Sequence, residues 1–214
     1  MHVVITGVSR GIGHALAERY RRMGHEVTGT ARSGGAEVEL DVTKPDQFEA
    51  LSAHVDGKPV DLLVCNAGIY PDKGQSLASG FAPGTWAEVM ATNVTGVFLT
   101  VQALMTGLQL AKQPKIAILS SRLGSDELAA GGSYCYRASK AAALNLGRNL
   151  AVDLKELDIA VGIYHPGWVR TDMGGEKGEV GVGDSADGLI AEFDRLTLDT
   201  TGCFRTWDGR DLPF

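Results

Sequence analysis

A tyrosine followed four residues later by a lysine, Tyr136-Arg137-Ala138-Ser139-Lys140, carries the clearest chemistry in this chain. On a helix, residues four apart share a face, so a phenol and an ammonium group can approach each other. A free tyrosine has a pKa near ~10, and a neighbouring positive charge favours its phenolate. Such a pair could donate or accept a proton near neutral pH. Tyr134 lies six residues before the lysine and falls on another face. Solvated helices also carry tyrosine and lysine at this spacing, so the meaning of the pair depends on the elements that hold it.

Those elements alternate. Short β-branched runs are expected as strands at His2–Thr6, Glu26–Ala31, Glu37–Leu40, Val60–Cys65, Lys115–Ser120, Ile159–Tyr164 and Cys203–Thr206. Helical patterns separate them at Ile12–Met23, Pro45–His54, Thr85–Ala111, Tyr136–Leu157 and Ser185–Leu196. Several strands are apolar throughout, as in Val3-Val4-Ile5 and Ile116-Ala117-Ile118-Leu119, which suits a parallel sheet covered on both faces. Alternation of this kind predicts one doubly wound α/β domain spanning 1–214. Weak order is expected at Asp72–Gly84 and at Gly174–Asp184. The second holds five glycines in eleven residues and makes a candidate substrate lid over about 172–185.

The first strand runs into a glycine turn, Thr6 to Gly13, with glycines at Gly7, Gly11 and Gly13, and then into a helix. Glycines let the backbone turn tightly, and a diphosphate can approach the amides of the helix N-terminus. Residues 1–35 carry five arginines against two glutamates, whereas the remaining 179 residues have a balance of −9. A basic N-terminal unit in a chain of net charge −6 suggests a local anionic ligand, while the overall charge argues against a nucleic-acid surface. No run approaches the ~20 apolar residues of a membrane span. Cys65, Cys135 and Cys203 are odd in number and far apart, so a disulfide framework is not expected and a reducing, cytoplasmic setting is. His2, His14, His25, His54 and His165 show no metal-ligand spacing, and no metal site is predicted.

Taken in order, Thr6–Gly13, Asn66-Ala67-Gly68, Asn93, Ser121, Tyr136 with Lys140, and Pro166-Gly167 followed by Thr171 resemble the short-chain dehydrogenase/reductase family. The resemblance covers essentially the whole chain. It implies a single-domain Rossmann-type fold and a catalytic set of Asn93, Ser121, Tyr136 and Lys140. Tyr136 would protonate a carbonyl oxygen as hydride arrives from a nicotinamide. Lys140 would depress the phenol pKa and hold the nicotinamide ribose, and Ser121 would share the charge developing on the substrate oxygen. Asn93 would bind a water that links Lys140 to bulk. Ser120 competes with Ser121, but Ser121 stands three residues before Gly124, as the family pattern asks. Cofactor contacts implied by the resemblance are Gly7, Ser9, Arg10, Gly11, Ile12, Gly13, Arg32, Asp41, Val42, Asn66, Ala67, Gly68, Pro166, Gly167, Val169 and Thr171, together with Tyr136 and Lys140.

The end of the second expected strand bears on the cofactor. A carboxylate there would take ribose hydroxyls, whereas a 2′-phosphate needs cations. The chain reads Thr30-Ala31-Arg32 and offers Arg10 inside the glycine turn, which favours NADPH over NADH. Spacing around Ile118–Ser125, Gly131–Lys140, His165–Gly175 and the tail is similar to the C-factor/sniffer-type carbonyl reductases, a resemblance that implies reduction of aldehydes and ketones. Three features depart from it. Only Ser33–Ala36 separates Arg32 from the third expected strand, Ser121 and Tyr136 stand fifteen apart, and the segment after Met173 is brief and glycine-rich. Pocket candidates are Ile69, Tyr70, Leu123, Tyr134, Trp168 and Met173, apolar or aromatic residues suited to an uncharged carbonyl compound. Two alternatives stay open: a nucleotide-binding regulatory protein with slight turnover, and an NAD-dependent alcohol dehydrogenase. Apolar stripes over Val89–Leu110 and Ala141–Leu154 exceed what one sheet face covers, and the family resemblance implies subunit interfaces on these helices, so a homodimer or homotetramer is expected.

Overall fold

The computed structural model covers Met1–Phe214. Its strands are β1 (His2–Thr6), β2 (Glu26–Ala31), β3 (Val38–Glu39), β4 (Leu62–Cys65), β5 (Lys115–Leu119), β6 (Ala160–His165) and β7 (Phe204–Thr206). All pair in parallel in the order β3-β2-β1-β4-β5-β6-β7. The helices are α1 (Gly11–Arg22), α2 (Phe48–His54), α3 (Pro83–Met90), α4 (Gly96–Leu110), α5 (Tyr134–Asp153) and α6 (Val182–Arg195).

Strand periodicity divides the core in two. Val3 and Ile5 of β1, Leu62 and Val64 of β4, and Ala117 and Leu119 of β5 pack with Leu16 and Tyr20 of α1 and Phe193 of α6. The alternate residues Val4, Leu63, Cys65, Ile116 and Ile118 pack with Leu51 of α2 and Val101, Leu104 and Leu108 of α4. Because side chains alternate across a strand, a run apolar at every position serves both faces. Burial of each such Leu or Ile is worth about 1.5–3 kcal/mol relative to exposure. Cys65 belongs to this core, and burial pushes its thiol up to about 12, so it packs as an apolar group.

The β3 edge is shorter than the expected Glu37–Leu40. The Glu37 side chain supplies what the strand does not: its Oε2 accepts from the Gly29 amide at 2.8 Å and its Oε1 from Arg21 at 2.7 Å. Burial pushes the Glu37 carboxyl up, but those donors outweigh it and hold the group below its ordinary range.

The expected long helix at Thr85–Ala111 is interrupted. A π-helical stretch, Ala91–Thr95, separates α3 from α4 and contains Asn93. Contrary to the expectation of no membrane-length run, Pro83–Leu110 is 28 residues long and, by length and composition alone, apolar enough to cross a membrane. In this fold 44% of its most apolar window is buried, with α4 packed on α2 and β4.

Candidate active site

A cavity of about 450 Å³ runs across the C-terminal ends of β1, β2, β4 and β5. The strand order reverses between β1 and β4, and such switch points open a crevice in doubly wound sheets. One end is built mainly from backbone. Gly7 and Gly11 hold φ of 76° and 61°, conformations that glycine adopts without a Cβ penalty. Gly13 has a different reason: a Cβ there would lie 2.3 Å from Gly7 O and 2.4 Å from Asn66 Nδ2. Asn66 stitches the strand ends together, donating to Thr6 O at 2.8 Å and Gly7 O at 3.0 Å.

The first turn of α1 has no side-chain cap and no acidic residue, so its amides face the cavity mouth unclaimed by side chains. That cradle fits a dinucleotide diphosphate. Arg32, Asp41, Val42 and Thr43 wall the same end. Asp41 Oδ1 accepts from the Thr43 amide at 3.0 Å and its hydroxyl at 2.8 Å; these bonds and the Arg32 charge outweigh burial and hold the carboxyl low. The N-terminal basic excess is thereby sorted. Arg19 and Arg21 are ion-paired to Asp187, Glu18 and Glu37, and Arg10 bridges to Asp172 at 2.8 Å with both side chains more than 70% exposed. Exposed pairs of that kind contribute little, so Arg10 can exchange partners. Arg32 makes no ion pair and lines the cavity.

The other end is built from buried side chains. Tyr136 sits in the first turn of α5, which begins two residues earlier than its expected start, and Lys140 lies one turn on. Lys140 Nζ is 5.6 Å from the Tyr136 ring centroid and donates to Leu119 O at 2.8 Å. Burial lowers the Lys140 ammonium to about 8. Burial pushes the Tyr136 phenol well above its ordinary value, and the Ser121 hydroxyl pulls it partly back. This differs from the expectation that Lys140 depresses the phenol: its charge is not among the causes of the shift, and burial of the ring dominates. The two serines are distinguished. Ser120 Oγ donates to Lys140 O at 2.9 Å, fixing strand to helix, whereas Ser121 Oγ accepts from Leu123 N at 3.1 Å and lies by the phenol. Gly124 lets α5 approach, since a Cβ there would meet the Lys140 carbonyl carbon at 2.5 Å.

Asn93 is buried with its side chain fully engaged. Oδ1 accepts from Ile69 N at 2.9 Å, while Nδ2 donates to Ile69 O at 3.0 Å and to Ser139 Oγ at 2.9 Å. A Cβ on Gly68 would sit 3.3 Å from Asn93 Oδ1 and 3.6 Å from Lys140 Nζ, so Asn93 and Lys140 converge where residue 68 has no side chain.

Ile69, Pro166, Thr171 and Met173 also reach the cavity, whereas the expected site residues Gly13, Asn93, Ser121, Leu123, Gly167, Trp168 and Val169 do not line it. Tyr70 stacks on Tyr136, with ring centroids 4.0 Å apart and an 18° interplanar angle. Tyr134 points elsewhere, into a separate apolar groove with Leu77, Phe81 and Trp86. The expected lid is shorter and tied down. α6 starts at Val182, the backbone amides of Arg170 and Val180 bond to Val180 O and Trp168 O at 3.0 Å, and Trp168 Nε1 and Lys73 Nζ donate to Gly174 O. His165, closing β6 near Lys140, is driven by burial down to about 4 and is neutral at pH 7. Sequence reasoning missed Asp72, Asp172 and Arg170; a lone charged residue in a polar loop has no periodic signal.

Residues 1–180 match the family model described as short chain dehydrogenase. The C-signal protein of Myxococcus xanthus is 34% identical over 171 residues, covering 78% of this chain and 100% of that protein. Among solved structures, the NADPH-bound carbonyl reductase from chicken fatty liver is 28% identical, with a TM-score of 0.90, 100% of this chain covered and 98% of that one. The carbonyl reductase Sniffer of D. melanogaster is 26% identical, with a TM-score of 0.93 and coverage of 100% and 99%.

Proposed function

This chain belongs to the short-chain dehydrogenase/reductase family of oxidoreductases, and we propose that within it the chain is an NADPH-dependent reductase of aldehydes or ketones. The observation that carries the reading is a buried phenol beside Ser121 and Lys140 at the inner end of a cavity that the glycine turn and the first turn of α1 line at its other end. When bound, a reduced nicotinamide supplies the hydride. The glycine turn and the α1 amides would hold its diphosphate, Asp41 and Val42 would border the adenine, and Arg10 and Arg32 would receive a 2′-phosphate. Lys140 has donors left beyond its bond to Leu119 O to hold the nicotinamide ribose.

A phenol whose pKa is raised keeps its proton through the neutral range, and the Ser121 hydroxyl, which pulls the pKa partly back, helps it to give that proton up. Tyr136 gives that proton to the carbonyl oxygen, and Ser121 donates a hydrogen bond to the same oxygen. The phenolate left behind faces the Lys140 ammonium along the helix, a charge partner that strengthens as the proton leaves. Ile69 and Met173 leave the substrate side largely apolar. The chicken and fly carbonyl reductases support this substrate class, and the first of them supports NADPH. Exposed Phe98 and Leu110 on α4 and Val152 on α5 support assembly into a homodimer or homotetramer.

A panel of aldehydes and ketones followed by loss of NADPH absorbance tests the reading; turnover with NADPH and little with NADH is expected. The C-signal relative and the short β2–β3 connection favour a second reading, a nucleotide-binding regulatory protein. Tight NADPH binding without turnover of any carbonyl on the panel would select it.

A further inference from the structure

We propose that Asp72 is a positioning residue for the acid: from a loop more than sixty residues away in sequence, its carboxylate caps α5 and fixes Tyr136. The inference rests on the reading of Tyr136 as the proton donor. Asp72 is 0% exposed, and its Oδ2 accepts from the backbone amides of Cys135 at 2.9 Å and Tyr136 at 3.3 Å. Those are first-turn amides that a helix cannot satisfy internally. The local cap is otherwise engaged. Ser133 precedes the helix in left-handed backbone, its side chain makes no cap bond, and its hydroxyl lies 2.5 Å from the Tyr70 hydroxyl. The first turn of α5 contains no acidic residue, so Asp72 provides the negative charge that a helix N-terminus favours. Its second oxygen, Oδ1, is buried without a partner, a costly placement that a solvent-facing loop residue would avoid.

The loop that carries Asp72 is itself fixed just before that residue. Asn93 clasps both backbone polar groups of Ile69, and the Tyr70 ring stacks on Tyr136. The π-helical stretch, the loop after β4 and the start of α5 therefore form one buried unit, with the phenol at its centre.

Asp72 also acts through charge. The groups facing Tyr136 are Tyr70 and Asp72 from the loop, Ser121 from the end of β5 and Lys140 from α5, with neutral His165 beyond Lys140 at the end of β6. The negative carboxylate opposes ionisation of the phenol and so helps to keep the proton available.

Asp72→Asn and Asp72→Ala separate these effects. Asparagine keeps an acceptor for the two amides and removes the charge. In Asp72→Asn the Tyr136 phenol is expected to ionise at lower pH, with the Kd for NADPH within about twofold. In Asp72→Ala, loss of the cap is expected to lower kcat roughly tenfold or more with cofactor affinity retained. Ultraviolet difference titration of the phenolate, each protein against its Tyr136→Phe counterpart, reads the Tyr136 pKa without any turnover; in Asp72→Asn it should fall. If Asp72→Ala does not fold, Asp72→Asn decides alone. Unchanged kcat and unchanged titration in the Asp72 variants, with Tyr136→Phe inactive, would overturn the positioning role and leave the acid in place. An active Tyr136→Phe would instead remove the reading on which it rests.

Discussion

The two ends of the cavity are made from different materials. At the dinucleotide end the work falls to backbone: Gly7 and Gly11 bend, Gly13 allows contact, and the amides of α1 stay open. Of its charged side chains, Arg10 and Asp172 are exposed and weakly paired. At the end proposed as catalytic, Tyr136, Lys140, Asn93, Ser121 and Asp72 are all buried and, apart from the phenol, bonded to named backbone or side-chain partners. A backbone site is sensitive to an added Cβ and tolerant of many side chains. A buried polar site has the opposite sensitivities, because each lost partner leaves a desolvated group behind.

Lys140, which lines the cavity, is the residue that breaks the division, since the proposed function has it face the phenol and hold the nicotinamide ribose. Lys140→Ala should lower kcat by roughly 10²- to 10⁴-fold and also weaken NADPH binding. Loss of kcat with unchanged cofactor Kd would confine the lysine to the catalytic end. The same group gives a pH limb. With its pKa lowered to about 8, the ammonium is held below that value and lost above it, so reduction should decline as pH rises through about 8. A flat kcat from pH 7 to 9 would contradict this.

Gly13→Ala tests the backbone end. The new Cβ meets Gly7 O and Asn66 Nδ2 at distances that force a shift, and overpacking costs about 1–3 kcal/mol. Thermal unfolding should show the loss together with weaker NADPH binding, while Arg10 and Arg32 remain in place. A fully stable variant with normal affinity would show that the turn yields easily.

The smallest expected effect is at the exposed rim. Arg32→Asp should shift preference towards NADH by roughly tenfold, since a carboxylate repels a 2′-phosphate and accepts from ribose hydroxyls. Equal selectivity in both proteins would remove Arg32 from phosphate recognition.

This division also governs what could be read from the sequence. β1 and β2 begin and end where apolar runs predict them, because buried parallel strands need a side chain on each face. The glycine turn and the Tyr136–Lys140 spacing are local patterns and were equally legible. The π-helical stretch around Asn93 was hidden, because one extra residue per turn barely disturbs an apolar helix pattern. Asp72 was hidden more completely: its partners stand at 135 and 136, and it lies in a segment that looked only polar and loosely ordered. Tyr134 and Tyr136 could be assigned to different faces of α5, but which groove Tyr134 enters depends on Phe81 in that same loop. The glycines of 174–184 suggested a loose lid, whereas Trp168, Arg170 and Lys73 tie it down through side chains on other segments.

The most direct measurement is the pair of constants, kcat with a carbonyl substrate and Kd for NADPH, in Tyr136→Phe. That change keeps the ring stacked on Tyr70 and removes only the hydroxyl. Turnover should fall by at least about 10²-fold with the Kd for NADPH nearly unchanged. Wild-type turnover in the variant would contradict the assignment of Tyr136 as the acid.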